Sequence, residues 1–235
     1  MKKLLSITLL FFVTLSFSQR WSAYGIKVAP ENEETVLKII DDYFTNNKVE
    51  GVTVNLYSIM FTAADLNFTH EVIFEGDKES MSKLYTPDFQ DTAWQLFSSK
   101  ISNFVDENVF SANGYRAFEF GELMPFQLVL TFKGDSENVN KWRSMTRKLN
   151  EKYPRDFRSF ASGGINVGGP SNEANNWMVT GWKSYADYLD NWQSTQNFNK
   201  ENPKYVKERE KMNADIDYSD VEPVKKFMRL LVKQW

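Results

Sequence analysis

Trp177, Trp182, Tyr185, Tyr188 and Trp192 crowd into sixteen residues. Such a run has two readings. The rings fill the space between a sheet and its helices, where aromatic burial is large. Alternatively, some of them line a cavity for a small, partly apolar molecule, because ligand pockets are mostly apolar with a few polar groups. Other chemistry is scarce. The chain has no cysteine and one histidine, His70, so a Cys–His pair is impossible and a Ser-His-acid triad could use only His70. No Gly-x-Ser-x-Gly motif lies near it, which makes it a structural histidine. A zinc site needs several imidazole or thiolate ligands, and no Asp-x-Asp-x-Asp-Gly loop offers calcium a seat. No metal is therefore expected. Gly163-Gly164-Ile165-Asn166-Val167-Gly168-Gly169-Pro170 superficially suggests a phosphate loop. It lacks the Lys-Ser/Thr ending and opens no helix, so it reads as a bulge, a wide turn or a hairpin tip.

Composition bounds what these residues can serve. The chain has 235 residues, 42% of them hydrophobic and 15% aromatic, enough to build a packed interior without disulfides. Met1-Lys2-Lys3 is followed by an uncharged run from Leu4 to Phe17 and the small-residue exit Ser16-Phe17-Ser18. These are the three parts of a secretory signal, so residues 1–18 are expected to direct export to the periplasm or beyond. The apolar run is too short for a comfortable span of about 20 residues, and no stable membrane span is expected after its removal. Removal also takes Lys2 and Lys3, leaving 26 basic against 31 acidic side chains. The charges are interleaved and no basic face emerges, which argues against nucleic acid as a partner.

The elements that must position these side chains follow from periodicity. Tyr24, Ile26 and Val28 alternate as a strand, and Pro30 with Glu31, Glu33 and Glu34 opens a helix whose face is Val36, Leu37, Ile40, Tyr43 and Phe44. Strands are expected at 52–61 and 70–76, a short helix at 77–85, a longer one at 89–105, and a strand around Tyr115 to Phe120. The order then repeats. Phe126 to Phe132 alternates, Asp135 or Ser136 caps a helix with face Val139, Trp142, Met145 and Leu149, and 157–167 and 176–182 are extended. Tyr185 to Trp192 is helical, as is Pro203 to Met212. Val224 to Trp235 fits a helix by periodicity, but the repeat requires a strand there.

The halves correspond at an offset near 105, with Gly76 on Gly181, Lys78 on Lys183 and Leu84 on Leu189, and the first strands match at 104. Each half reads β-α-β-β-α-β, the ferredoxin-like unit. The expected fold is α+β: two tandem ferredoxin-like repeats, 19–122 and 123–235, whose sheets cover one another.

The stretch from Trp182 through Trp192, continuing to Phe198, resembles the strand-to-helix signature of the dimeric α/β barrel superfamily, which includes the antibiotic-biosynthesis-type and haem-degrading monooxygenases. The resemblance implies that Trp182, Tyr188, Trp192 and Asn202 stand nearest a ligand. Trp192 and Phe198 have the spacing found in the haem-degrading enzymes, but Asn202 occupies the position of their axial histidine. An amide is a poor substitute for imidazole on iron. The chlorite-dismutase-like members also need a histidine in the second unit, and this chain has none there. The remaining relatives work without metal or cofactor, so no cofactor is expected.

Three functions fit these residues. The first is an exported barrel binding a small apolar or aromatic molecule. The second is a cofactor-independent monooxygenase-like enzyme. The third is a structural or interaction protein with exposed aromatics. The catalytic residues are not identifiable, and the assembly is a monomer or a homodimer.

Overall fold

The computed structural model describes residues 19–87 and 91–235. The expected signal, residues 1–18, and the first residues of the expected 89–105 helix lie outside the described residues.

Strand β1 (Arg20–Lys27) leads through a 3-10 turn at Pro30–Asn32 into helix α1 (Glu33–Asn46). Then come β2 (Val52–Thr62), β3 (His70–Gly76), α2 (Lys78–Lys83), α3 (Thr92–Ile101) and β4 (Glu107–Phe120). The second half runs β5 (Phe126–Lys133), α4 (Ser136–Lys152), β6 (Ser159–Gly168), β7 (Asn176–Trp182), α5 (Tyr185–Leu189), α6 (Asn191–Glu201), α7 (Pro203–Asn213) and β8 (Glu222–Gln234). Caps sit where short polar side chains precede helices. Asp77, Asp91, Asp135 and Ser184 each accept a backbone N–H from the first turn of α2, α3, α4 and α5.

The eight strands close into one antiparallel barrel in the order β1-β3-β2-β8-β5-β7-β6-β4. Within it the first half is ordered β4-β1-β3-β2 and the second β8-β5-β7-β6, the same ferredoxin-like order twice. The halves meet edge to edge, β2 on β8 and β4 on β6, so neither sheet keeps a free edge. The tandem architecture and the strand at the carboxyl end are as the sequence implies.

Several details differ. Strand β4 begins at Glu107 rather than near Tyr115. Its first half alternates weakly because Asn113 and Gly114 interrupt the pattern. A register shift between Asn113 and Gly114 lets the strand bend around the barrel. The single helix expected over Tyr185 to Trp192 breaks at Asp190 into α5 and α6. Asn202, at φ −121° and ψ 64° before Pro203, leaves the helical region and separates α6 from α7. Gly163 and Gly164 lie inside β6, while Gly168 and Gly169, at φ 73° and 123°, make the turn that follows it.

The repeat offset also shifts. Arg20 pairs Gly76 as Phe126 pairs Trp182, so the strands superpose at 106 rather than 104 or 105. A one-residue slip reverses a strand's faces. Gly76 accordingly looks outward toward Met81, whereas the interior-facing residue Gly181 abuts Ser159 and Met124. The three identities that suggested the repeat are therefore not structural equivalents; the order of elements is what repeats.

Inside the barrel, the odd-numbered residues of β5 and β7 face inward with Trp21 and Ala23 of β1 and Glu71, Ile73 and Glu75 of β3. At one end Trp21 and Trp177 meet edge to face, their centroids 6.0 Å apart. Gly114 and Gly163 lie against these two indoles, where a Cβ would collide with ring or backbone. Further along the interior Arg229 pairs with Glu71 and donates from Nε to Gln127 Oε1 at 2.9 Å while lying 3.9 Å from the Tyr57 ring centroid. The space left over is about 70 Å³. The interior is a packed core with a polar network.

Candidate functional site

The outward faces of the two sheets carry helices, and here the halves differ. Over the first, α1 and α3 press Tyr43, Phe44, Trp94 and Phe97 onto Phe74, with Tyr43 and Phe97 stacked at 4.3 Å. The terminal Trp235 adds its ring to Phe44 at 5.6 Å and donates from Nε1 to Asp41 at 3.0 Å. About 10 Å³ remains beside them. The aromatics plug the space under α1 and α3, while a recess of about 420 Å³ stays open beside α2, β1 and β4.

Over the second sheet, α4 and α7 leave a cavity of about 460 Å³. That lies in the size range of small-molecule sites. Its floor is the outer face of β5, β6 and β7, including Phe132, Phe160 and Thr180. Its roof is Trp142 and Leu149 of α4 with Tyr205 of α7. Arg143, buried on α4, fixes the helix to the sheet edge by donating to Gly163 O and, at 2.8 Å, to Asn176 Oδ1. Facing helices set the opening because α7 packs on α4 through Met145, Leu149, Tyr205 and Ile216.

Arginines stand along one side. Pro154 ends the approach from α4, and Arg155 and Arg158 follow in the crossing to β6, while Arg209 comes from α7. Arg155 donates twice to Asn150 Oδ1, at 2.8 and 3.2 Å, and to Tyr205 Oη at 3.4 Å. Arg155 and Arg209 each lie 5.5 Å from the Tyr205 ring centroid. Arg158 reaches only Asn191 Oδ1, at 3.4 Å. Burial, with the like charge of Arg155 adding to it, pushes the Arg158 guanidinium down to about 10. Burial likewise lowers Arg155.

The residues expected from sequence do not gather here. Trp182 is buried but points outward under α5, where its ring meets Tyr188 at 5.1 Å and its Nε1 donates to Asn191 Oδ1 at 3.2 Å. Tyr188 also touches Phe126. Trp192 is 73% exposed on α6 and lines no wall. Asn202 caps the end of α6 by donating to Phe198 O at 2.9 Å. The structure joins Trp182 to Tyr188 and leaves the other two apart. Parity explains part of the scatter: Trp177 and Trp182 are five apart in one strand and so point to opposite faces. The cavity-lining residues were legible only in part, since Trp142 and Leu149 read as a helix face and Arg155 and Arg158 as a charged connection.

A haem held through an axial histidine, the case raised by the sequence resemblance, has no imidazole to receive it in this half. The one histidine, His70, is buried on β3 in the other half, with Nε2 3.3 Å from Glu33 and Nδ1 3.0 Å from Thr69 Oγ1. Among the described residues no three His, Cys, Asp or Glu side chains cluster as a metal site.

No protein-family model matches the sequence, and no curated protein matches it. Solved structures do match. The chain is similar to a candidate monooxygenase from Fusobacterium nucleatum, at 14% identity and TM-score 0.59, over 94% of this chain and 95% of that one. It is similar to an anthrone oxidase-like protein at 12% identity and TM-score 0.56, over 94% of each. A candidate monooxygenase from Lactobacillus acidophilus follows at 11% and 0.55, over 92% of this chain and all of the other. These likenesses place the chain in the dimeric α/β barrel fold, here with both units in one polypeptide.

Proposed function

We propose that the protein binds a small, partly apolar or aromatic molecule in the cavity between the second sheet and helices α4 and α7. The carrying observation is the asymmetry of the halves. Beneath α1 and α3 the first sheet leaves about 10 Å³, whereas beneath α4 and α7 the second leaves about 460 Å³; the first half's own recess, about 420 Å³, lies elsewhere, beside α2, β1 and β4, with Ser22, Ser82, Ser111 and Asn113 on its walls. A packed interior rarely keeps empty apolar space of that size without use, because each unfilled volume costs dispersion contacts. Trp142 on the wall offers a readout. Titration with naphthalene-sized aromatic probes, neutral and acidic, is expected to change Trp142 fluorescence saturably. Thr146→Trp, which fills the cavity, is expected to abolish the response while leaving the thermal midpoint near that of the wild type. No saturable response to any probe overturns the reading.

The fold neighbours support a second reading, in which the bound molecule is also oxidised without a cofactor. Its test is oxygen uptake on adding an anthrone. Consumption dependent on the protein, and lost in Thr146→Trp, supports the enzyme; none leaves binding alone. Residues 1–18 are read as an export signal, and the amino-terminal sequence of protein recovered outside the cytoplasm tests that, with Gln19 expected first. A third reading, in which exposed aromatics contact a partner, draws on Trp192, Leu189 and the stacked pair Phe61–Tyr185.

A further inference from the structure

We infer that the molecule held in this cavity carries an anionic group, such as a carboxylate, and that Arg155 and Arg158 receive it. The inference rests on the binding reading above and names the chemical class of its ligand. Three guanidinium groups are the charged side chains bordering a chamber otherwise lined by apolar, amide and hydroxyl groups: Arg155 and Arg158 from one short connection, and Arg209 from the facing helix. Buried or half-buried arginines ordinarily pair with carboxylates, because removing a charge from water is costly without a partner. Here every hydrogen-bond acceptor is neutral: Asn150, Tyr205 and Asn191. Among the described residues no carboxylate forms an ion pair with any of the three. The nearby Glu208 is engaged by Lys152 at 2.5 Å.

Placement makes the cluster usable. Arg155 and Arg158 border both the main cavity and an adjoining recess of about 330 Å³ beside Pro154 and Lys183. They therefore stand where the apolar chamber opens toward that recess. Glu122 and Asp156 also border the recess without pairing to either arginine. A planar guanidinium with unused N–H groups is suited to bidentate contact with a carboxylate. Arg155 is held in place for this by Asn150 on one side and the Tyr205 ring on the other. Arg158 lies over the Phe157 ring at 5.4 Å and makes one hydrogen bond, at 3.4 Å, which leaves most of its N–H groups without an acceptor. An aromatic acid would lay its rings against the packed pair Trp142 and Phe160, whose centroids are 6.0 Å apart, and its charge at the arginine wall.

The test uses the full chain and two probes of the same shape, 2-naphthoate and the neutral 2-naphthamide, followed by Trp142 fluorescence and calorimetry. Naphthoate is expected to bind about ten-fold or more tightly than naphthamide, as a charge-assisted contact would give. Added salt should weaken only naphthoate. Arg158→Met is expected to remove the preference for naphthoate over naphthamide, and Arg158→Lys to restore part of it. Equal affinity for the two probes in the wild-type protein overturns the inference while the cavity stands. Binding of neither overturns both. Because the probe comparison is made on the unaltered protein, a variant that fails to fold does not protect the inference.

Discussion

Arg229 and Glu71 are 6% and 5% exposed and pair at the centre of the barrel, with Gln127 and Tyr57 completing the guanidinium's surroundings. A pair of this kind contributes little over an apolar filling of equal volume, but losing one partner strands a buried charge. Arg229→Met is therefore expected to lower stability by about 3–5 kcal/mol in urea denaturation, and the double change Glu71→Leu with Arg229→Met by clearly less. If the double variant is as unstable as the single one, the network has a role beyond pairing. His70 gives a pH signature. Burial holds its imidazole below the ordinary 6.5, and the Glu33 carboxylate offsets only part of that. As pH falls through 6.5, the unfolded chain takes up a proton that the folded one refuses. The contribution of neutral His70 is thus full above 6.5 and is lost as pH drops toward the folded value. Urea midpoints compared at about pH 7.5 and about pH 5.5 should fall less in His70→Gln than in the wild type.

At the scale of elements, the asymmetry of the halves is decided by what the helices carry. Helices α1 and α3 bring four large rings to the first sheet, and the end of β8 adds Trp235, whose backbone bonds Val54 at 3.0 and 3.2 Å. Trp235→Ala is expected to cost about 2 kcal/mol and to open space beside Phe44, readable as a lowered thermal midpoint. Helices α4 and α7 bring fewer rings and more polar side chains, so the second sheet stays partly uncovered. Strand β6 shows how backbone sets packing. At Gly163 an added Cβ would overlap Tyr115 O and the Trp177 ring, so Gly163→Ala should destabilise the closure between β4 and β6. Hydrogen exchange confined to faster opening of those two strands would confirm it; no change would mean that the strands shift without cost.

At the scale of the molecule, closure is the organising fact. Each half alone would expose two sheet edges, β2 and β4 or β8 and β6, and open edges invite pairing with other chains. We propose that the boundary near 122/123 separates the two units. Residues 19–122 produced alone should aggregate or self-associate. The same segment co-produced with 123–235 should yield a soluble 1:1 complex by light scattering. Failure of the two pieces to associate would mean that the connection between β4 and β5 is required for folding. In the intact chain both edges of each sheet are already used, so a monomer is the expected species, checked by the same measurement.

The alternation of Phe126 to Phe132, the helix faces of α1 and α4, and the β-α-β-β-α-β order are all written in local periodicity, because burial selects one face of each element regardless of what covers it. Those patterns determined the fold class; the strand at the carboxyl end followed from the repeat, against the helical periodicity of Val224 to Trp235. They could not determine where space would be left, since a cavity is the difference between two packed surfaces whose members are far apart in the chain. Trp182 and Trp192 share a short segment, yet one is buried and the other exposed. Trp142, Arg158 and Tyr205 are distant in sequence and border one chamber. Only the closing of β2 on β8 and β4 on β6, with different helices laid over the result, decided that space would remain beneath α4 and α7 and not beneath α1 and α3.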